Sequence, residues 1–258
     1  ALLHYDGARW TELWRTNPYS LNPGGTTAVY TSGPRDVWVG GYSFGVGGAS
    51  GGLIHFDGAT WTAVPEAGRG PIDVLWGSGP TDVYALNSGT GLTLHFDGSA
   101  WRPVDVPSLT KARSLWGSGP QDLWAVTEAG DLARYDGRVA TKVTLPGRTT
   151  PLTRVFGTGP ASVVAVGDRQ LWRFDGATFA AVDLGLGMAD KIIDLSGSGP
   201  RDLYALLASG ELLHLDGQGV ARWNNDLAPA GGLYGLWVAP SGDLWLGGDT
   251  GTVLRQRL

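Results

Sequence analysis

The stretch LHFDGSAW, Leu94–Trp101, recurs along the chain with small changes. Near-copies are LHYDGARW (Leu3–Trp10) and IHFDGATW (Ile54–Trp61). Looser ones are ARYDGRVA from Ala133, WRFDGATF from Trp172 and LHLDGQGV from Leu213. A second phrase alternates with it: WGSGPTDVYAL from Trp76, WGSGPQDLWAV from Trp116, FGTGPASVVAV from Phe156 and SGSGPRDLYAL from Ser196, with YTSGPRDVWVG from Tyr30 and WVAPSGDLWLG from Trp237 more distant. The prolines of this phrase stand at 34, 80, 120, 160, 200 and 240, a step of 40 residues with one step of 46. A fixed period of this length is the mark of a repeat architecture.

Each unit reads as four short strands. Strand a runs into GSGP, strand b follows the Asp, strand c runs into Asp-Gly, and strand d starts near the Trp. The alternation in strands b and c fits the two-residue side-chain period, and no segment carries apolar residues at helical spacing. Four-stranded units of about 40 residues predict an all-β β-propeller, here one domain over residues 1–258. The chain opens with a c–d piece, LLHYDGARWTEL, and closes with an a–b–c piece ending in GTVLRQRL. Six four-stranded blades are therefore expected, the last closed by pairing of N- and C-terminal strands. Leu2–Tyr5 and Val253–Gln256 compete for one strand-c place, with the N-terminal hairpin expected to supply at least strand d. A seventh, incomplete blade is the alternative, and it would leave strand edges open.

Composition narrows the function. The chain of 258 residues is 42% hydrophobic and holds 42 Gly and 12 Trp, as expected of a packed fold with many tight turns. A net charge of −5 argues against nucleic acid as a partner. The apolar runs fall far short of a membrane span, so no membrane insertion is expected. Without Cys there is neither a disulfide nor a Cys-metal site. Met188 is the only Met and the first residue is Ala1, so loss of an initiator Met at least is expected.

The repeated phrases read as frame. Asp-Gly between strands c and d makes a tight hairpin turn, in which Gly takes positive φ and Asp hydrogen-bonds its own turn. The Trp three residues after that Gly is placed to pack between blades, and Trp223 is expected in the same packing. All four His (His4, His55, His95, His214) sit just before the residue preceding Asp-Gly, where other copies carry Arg134, Arg173 and Arg255. Arg is no metal ligand, so a polar partner for a neighbouring strand or carboxylate suits this position better than a metal ring. A Ca²⁺ loop needs several oxygen ligands close together, and each turn offers one Asp, so no metal and no cofactor is expected.

The unit resembles the GSGPxDVWAV…HYDGxxW repeats of secreted and surface β-propeller proteins from myxobacteria and other bacteria, over nearly the whole chain. It more distantly resembles the Asp-box of sialidase-like propellers: HFDGATW shares the Asp, Gly, Thr and Trp but lacks the Ser and one residue of spacing. Repeat lectins of the tachylectin and PLL type are similar by architecture alone. The resemblance implies a propeller and an extracellular or cell-surface location. It implies no activity.

In a meander of this order the a–b and c–d turns share one end of the blade, and the b–c and d–a loops share the other. The varied end is the expected binding surface. There the first full blade has an enlarged, Gly-rich b–c loop, GGYSFGVGGASGG (Gly40–Gly52), displaying Tyr42 and Phe44. The d–a segment WRTNPYSLNPGG (Trp14–Gly25) adds Trp14, Asn17 and Tyr19. These five are the candidate ligand-binding residues. No catalytic residues are assigned, since G-x-S-x-G and HExxH are absent and no Ser–His–Asp combination lies close in sequence. The reading is a monomeric, non-catalytic recognition module whose ligand is a glycan or a protein. The alternatives are a carbohydrate hydrolase or lyase at a central channel, and a scaffolding domain of a larger surface protein.

Overall fold

A computed structural model describes residues 2–14, 25–45, 48–67, 71–87, 89–106, 109, 111–223 and 232–257. Strand β1 (Leu2–Tyr5) pairs with β2 (Trp10–Trp14) as a two-stranded hairpin. Five four-stranded meanders follow. The first is β3 (Gly25–Gly33), β4 (Asp36–Gly45), β5 (Gly48–Phe56) and β6 (Trp61–Ala63). The second is β7 (Val74–Gly79), β8 (Asp82–Asn87), β9 (Leu92–Phe96) and β10 (Trp101–Pro103). The third is β11 (Ala112–Gly119), β12 (Asp122–Thr127), β13 (Leu132–Tyr135) and β14 (Ala140–Val143). The fourth is β15 (Leu152–Gly159), β16 (Ser162–Gly167), β17 (Leu171–Phe174) and β18 (Phe179–Val182). The fifth is β19 (Ile192–Gly199), β20 (Asp202–Leu207), β21 (Leu212–Leu215) and β22 (Val220–Trp223). The last sheet holds β23 (Leu233–Val238), β24 (Leu244–Gly248) and β25 (Val253–Gln256). The fold is an all-β, six-bladed β-propeller. No helix among the described residues is long and apolar enough to cross a membrane.

The competition for the last strand-c place has a clear outcome. Val253–Gln256 lies beside β24, with Leu246 opposite Leu254 and Trp245 opposite Arg255, whereas Leu2–Tyr5 pairs with β2.

The residues gather into two compact units. One holds Ala1–Leu115, Gly119–Gln121 and Tyr135–Ala140, and the other holds Trp116–Ser118, Asp122–Arg134 and Thr141–Leu258. In the first unit one core joins consecutive blades: Trp38 and Leu53 of blade one pack with Val83, Leu94 and Trp101 of blade two. In the second unit, one core sets Trp124 and Val126 against Trp172 and Phe174. A further core sets Val164 and Leu171 against Leu203 and Leu215, and a third sets Tyr204 and Leu206 against Leu244 and Leu246, with Trp223 partly buried beside it. Inner strands are tied as well. The Leu236 N–H donates to Asp194 Oδ2 at 2.8 Å, and the Val238 N–H donates to Ser196 Oγ at 2.9 Å.

These cores lie between blades, so strand b is packed on both faces. All of β8 is buried, as are four consecutive residues of β12 and five of β16 and β20. The alternation expected of strand b is therefore absent from its burial. A strand covered on both sides carries a continuous apolar run, whereas the outer strands β14, β18 and β22 each expose their two central residues.

Candidate functional site

The most regular polar feature is a network at the start of strand b. In blade two, Ser78 Oγ donates to Asp82 Oδ2, and His95 Nε2 lies 2.7 Å from Asp82 Oδ1. His95 faces Tyr84 across the β8–β9 ladder, and the two rings stack with centroids 4.3 Å apart. Blade one repeats this with Ser32, Asp36, His55 and Trp38, the His55–Asp36 contact being 2.6 Å and the ring separation 3.8 Å. Blade five repeats it with Ser198, Asp202, His214 and Tyr204. Where strand c carries Arg, the guanidinium does the same work. Arg134 Nε donates to Asp122 at 2.8 Å and lies over the Trp124 ring, and Arg255 donates to Asp243 at 2.7 Å and lies over Trp245. The expectation that His and Arg serve a neighbouring carboxylate is thus met in five blades.

A Ser–Asp–His combination does exist, then, although none is close in sequence. Its order excludes nucleophilic catalysis of the triad kind, in which His must bridge Ser and Asp so that it can take the hydroxyl proton. Here the carboxylate is in the middle and both neighbours stabilise its charge. Burial pushes Asp82 and Asp202 up, but hydrogen bonds from His95 and Ser78, and from Ser198 and His214, outweigh it and hold both below the usual carboxylate range. Such a group is a weak base.

The Asp-Gly turns are equally committed. Oδ1 of Asp6, Asp57, Asp97, Asp136, Asp175 and Asp216 each accepts the N–H groups of the residues two and three further on. The intervening glycines take φ between 85° and 101°, the region a side chain rarely adopts. The Trp after the turn packs as expected at Trp101, which meets Trp38 edge-on at 5.1 Å, while Trp10 is 47% exposed. No group of three or more His, Asp or Glu among the described residues could hold a metal ion.

Of the five candidate binding residues, Asn17 and Tyr19 lie outside the described residues. Trp14 ends β2 opposite Leu2. Tyr42 and Phe44 lie in β4, opposite Gly51 and Ala49 of β5. The enlarged segment is thus a two-stranded ribbon and not the loop its composition implies: the ladder runs unbroken from Val37↔Phe56 to Gly45↔Gly48. Among the described residues β3 accompanies it only as far as Gly25↔Tyr42. Several other charges at the varied end are paired: Arg148 with Asp131 at 2.9 Å, Lys191 with Asp168 at 3.4 Å, and Arg222 with Asp190 and Glu211.

Sequence reading missed one residue that stands apart. In blade four the Asp position is Ser162, bonded to Thr158, and the ring position is Val164, yet Arg173 keeps the basic residue opposite Val164. Its Nε is buried and makes no hydrogen bond. The signal was the mismatch within one copy of the repeat, a basic residue kept where its acid had gone.

No protein-family model matches the chain, and no curated protein does. Solved structures with the same fold do. YCF48 bound to D1 peptide superposes with a TM-score of 0.72 at 16% identity, over 98% of this chain and 83% of that one. A virginiamycin B lyase from Staphylococcus aureus gives 0.67 at 10% identity, over 91% and 84%. The C-terminal WD40 domain of Sif2 gives 0.63 at 10% identity, over 90% and 81%. At these identities the likeness is one of fold.

Proposed function

We propose that the protein is a non-catalytic recognition module that binds a protein partner through the β4–β5 ribbon. The observation that carries this reading is the ribbon itself. The ribbon carries β4 to Gly45, three residues past its last pairing with the described part of β3, and its backbone over Ser43–Gly45 is the place we assign to an added strand. An extended peptide can add to a strand edge by main-chain hydrogen bonds, with Tyr42 and Phe44 as aromatic anchors. A sugar has no use for a strand edge, which favours the protein ligand over the glycan. The turn carboxylates and the strand-b networks are already held by internal hydrogen bonds, in keeping with a frame. One similar fold, YCF48, was solved with a bound peptide.

The test is selection from a displayed peptide library, with titration of individual binders by calorimetry and a glycan array in parallel. The double variant Tyr42→Ala/Phe44→Ala should weaken the selected peptides at least tenfold and leave the melting temperature nearly unchanged. Binding of glycans alone, or peptide binding indifferent to both substitutions, would remove this reading.

A further inference from the structure

The break in blade four is matched by a change in blade five. At the junction of blades three and four, Trp124 packs against Phe174 and Phe179 at centroid distances of 5.2 and 5.5 Å. At the junction of blades four and five the corresponding residues are Val164, Leu215 and Val220, which belong to one core. Three rings have become three aliphatic side chains. The shortfall in volume opens a groove of about 400 Å³, lined by Arg173, Val182, Leu215, Val220 and the Gly217–Gly219 turn. All of it lies within one compact unit.

Arg173 is half-buried in that groove and, among the described residues, no ion pair joins it to a carboxylate. Asp175 and Asp183 stand in the groove wall, but Asp175 Oδ1 caps its own turn and Asp183 Oδ1 accepts the Gly185 N–H. In the other blades the residue at this position, Arg or His, is met by the Asp at the start of strand b. The buried Arg173 Nε left without an acceptor carries a desolvation cost, and the same guanidinium-bearing side chain lines the open groove, where a carboxylate could compensate its charge.

We infer that this groove is a binding site for a monoanionic carboxylate on a short apolar stem, the ligand's carboxylate taking the place of the missing aspartate. The guanidinium fork suits two coplanar oxygens. The apolar wall of Val182, Leu215 and Val220 takes the stem. Asp175 and Asp183 repel multiply charged anions, which sets phosphate and polyanions at a disadvantage. The C-terminal residue of a peptide and a free small carboxylic acid share this chemistry. The site is independent of the β4–β5 ribbon.

The probes are N-acetyl-Ala-Val with a free C-terminus, the same dipeptide as its amide, isobutyrate and inorganic phosphate. Each is titrated into the full ¹⁵N-labelled chain while the Arg173 Nε–H resonance is followed. The free acid should saturate and shift that resonance, and the amide should bind at least tenfold more weakly. A dipeptide acid tighter than isobutyrate assigns the site to peptide termini, and equal affinities assign it to small acids. Arg173→Gln should abolish binding. Ser162→Asp supplies the carboxylate from within the blade, as Asp122 does for Arg134, and should abolish binding while the melting temperature holds or rises. Equal binding of acid and amide, tighter binding of phosphate, absence of any saturable carboxylate binding, or undiminished binding in a folded Ser162→Asp variant would each overturn the inference. Tyr42→Ala/Phe44→Ala should leave carboxylate binding unchanged, so this site and the ribbon succeed or fail separately.

Discussion

His95 Nε2 sits 2.7 Å from Asp82 Oδ1, under the ring of Tyr84. The Asp82 side chain is only 11% exposed, so the contact is shielded from water and from salt. Removing the carboxylate would leave Ser78 and His95 without their acceptor in a partly dry site. Asp82→Ala should therefore lower stability by about 1–3 kcal/mol, the usual cost of stranding buried polar groups. Urea unfolding at pH 7 measures this. A variant as stable as the wild type would mean that the network is not part of the frame.

Acid should weaken the fold, and the sign follows from the carboxylates. Asp82 and Asp202 are held low against burial by their hydrogen bonds. Asp57, Asp136 and Asp175 are held low chiefly by the N–H groups of Thr60, Val139 and Thr178. A carboxylate whose folded value lies below its unfolded one, about 3.9 for Asp, stabilises fully above the unfolded value and loses that contribution as pH falls through the folded one. Asp194 runs the other way. Burial pushes it up, so its contribution is complete below the unfolded value and is lost as pH rises through the folded one. With several lowered carboxylates against Asp194 among the described residues, the melting temperature should fall steadily from pH 4 to pH 2. The fall should be shallower in Asp82→Asn. An equal slope in that variant would show that Asp82 takes up no extra proton on unfolding.

The period of the prolines and the Asp-Gly turns made the blades legible, because each turn needs a particular residue at a particular place. The ribbon was not legible. Glycines at 40, 41, 45, 48, 51 and 52 carry no side-chain alternation, so a strand there looks like a loop. The strand-b network was hidden by distance: Asp82 and His95 are 13 residues apart, Asp36 and His55 are 19 apart, and no short motif contains both. Comparison among the copies could have found it, since His and Arg interchange at one position while the Asp stays in every blade but the fourth. Asn17 and Tyr19 lie outside the described residues, so that part of the candidate site rests on sequence alone.

The two glycines of each Gly-Ser/Thr-Gly-Pro phrase are not equivalent. A Cβ on Gly157 would come within 2.7 Å of three indole carbons of Trp116, whereas one on Gly159 would meet nothing within 4 Å. At Gly77 and Gly157 the first glycine leaves room for the aromatic residue of the preceding copy, Tyr30 and Trp116, while at Gly197 it makes room for Asp202 and Leu203 of its own blade. Gly157→Ala should accordingly cost about 1–3 kcal/mol through forced displacement of the Trp116 ring, and Gly159→Ala should be close to neutral. Thermal unfolding with Trp fluorescence reads both. Equal effects would mean that the phrase is kept for the turn and not for the packing.

The last sheet poses a different problem. Its order, β23–β24–β25, places β25 at an edge, and Trp237 on β23 is 56% exposed although the corresponding Trp76 is buried. A strand edge with unpaired N–H and C=O groups invites pairing with another chain. Strand β2 forms a separate two-stranded sheet with β1, so the expectation from the sequence that the N-terminal hairpin supplies a strand d is tested by removing that hairpin. Deletion of residues 1–14 should then lower the melting temperature and convert a monomer into a concentration-dependent associating species. Calorimetry and light scattering on the shortened chain, over a tenfold range of concentration, distinguish the outcomes. If the chain lacking these residues melts where the full chain does and stays monomeric, the blade does not depend on its N-terminal hairpin, and the repeat array is stable with an open edge.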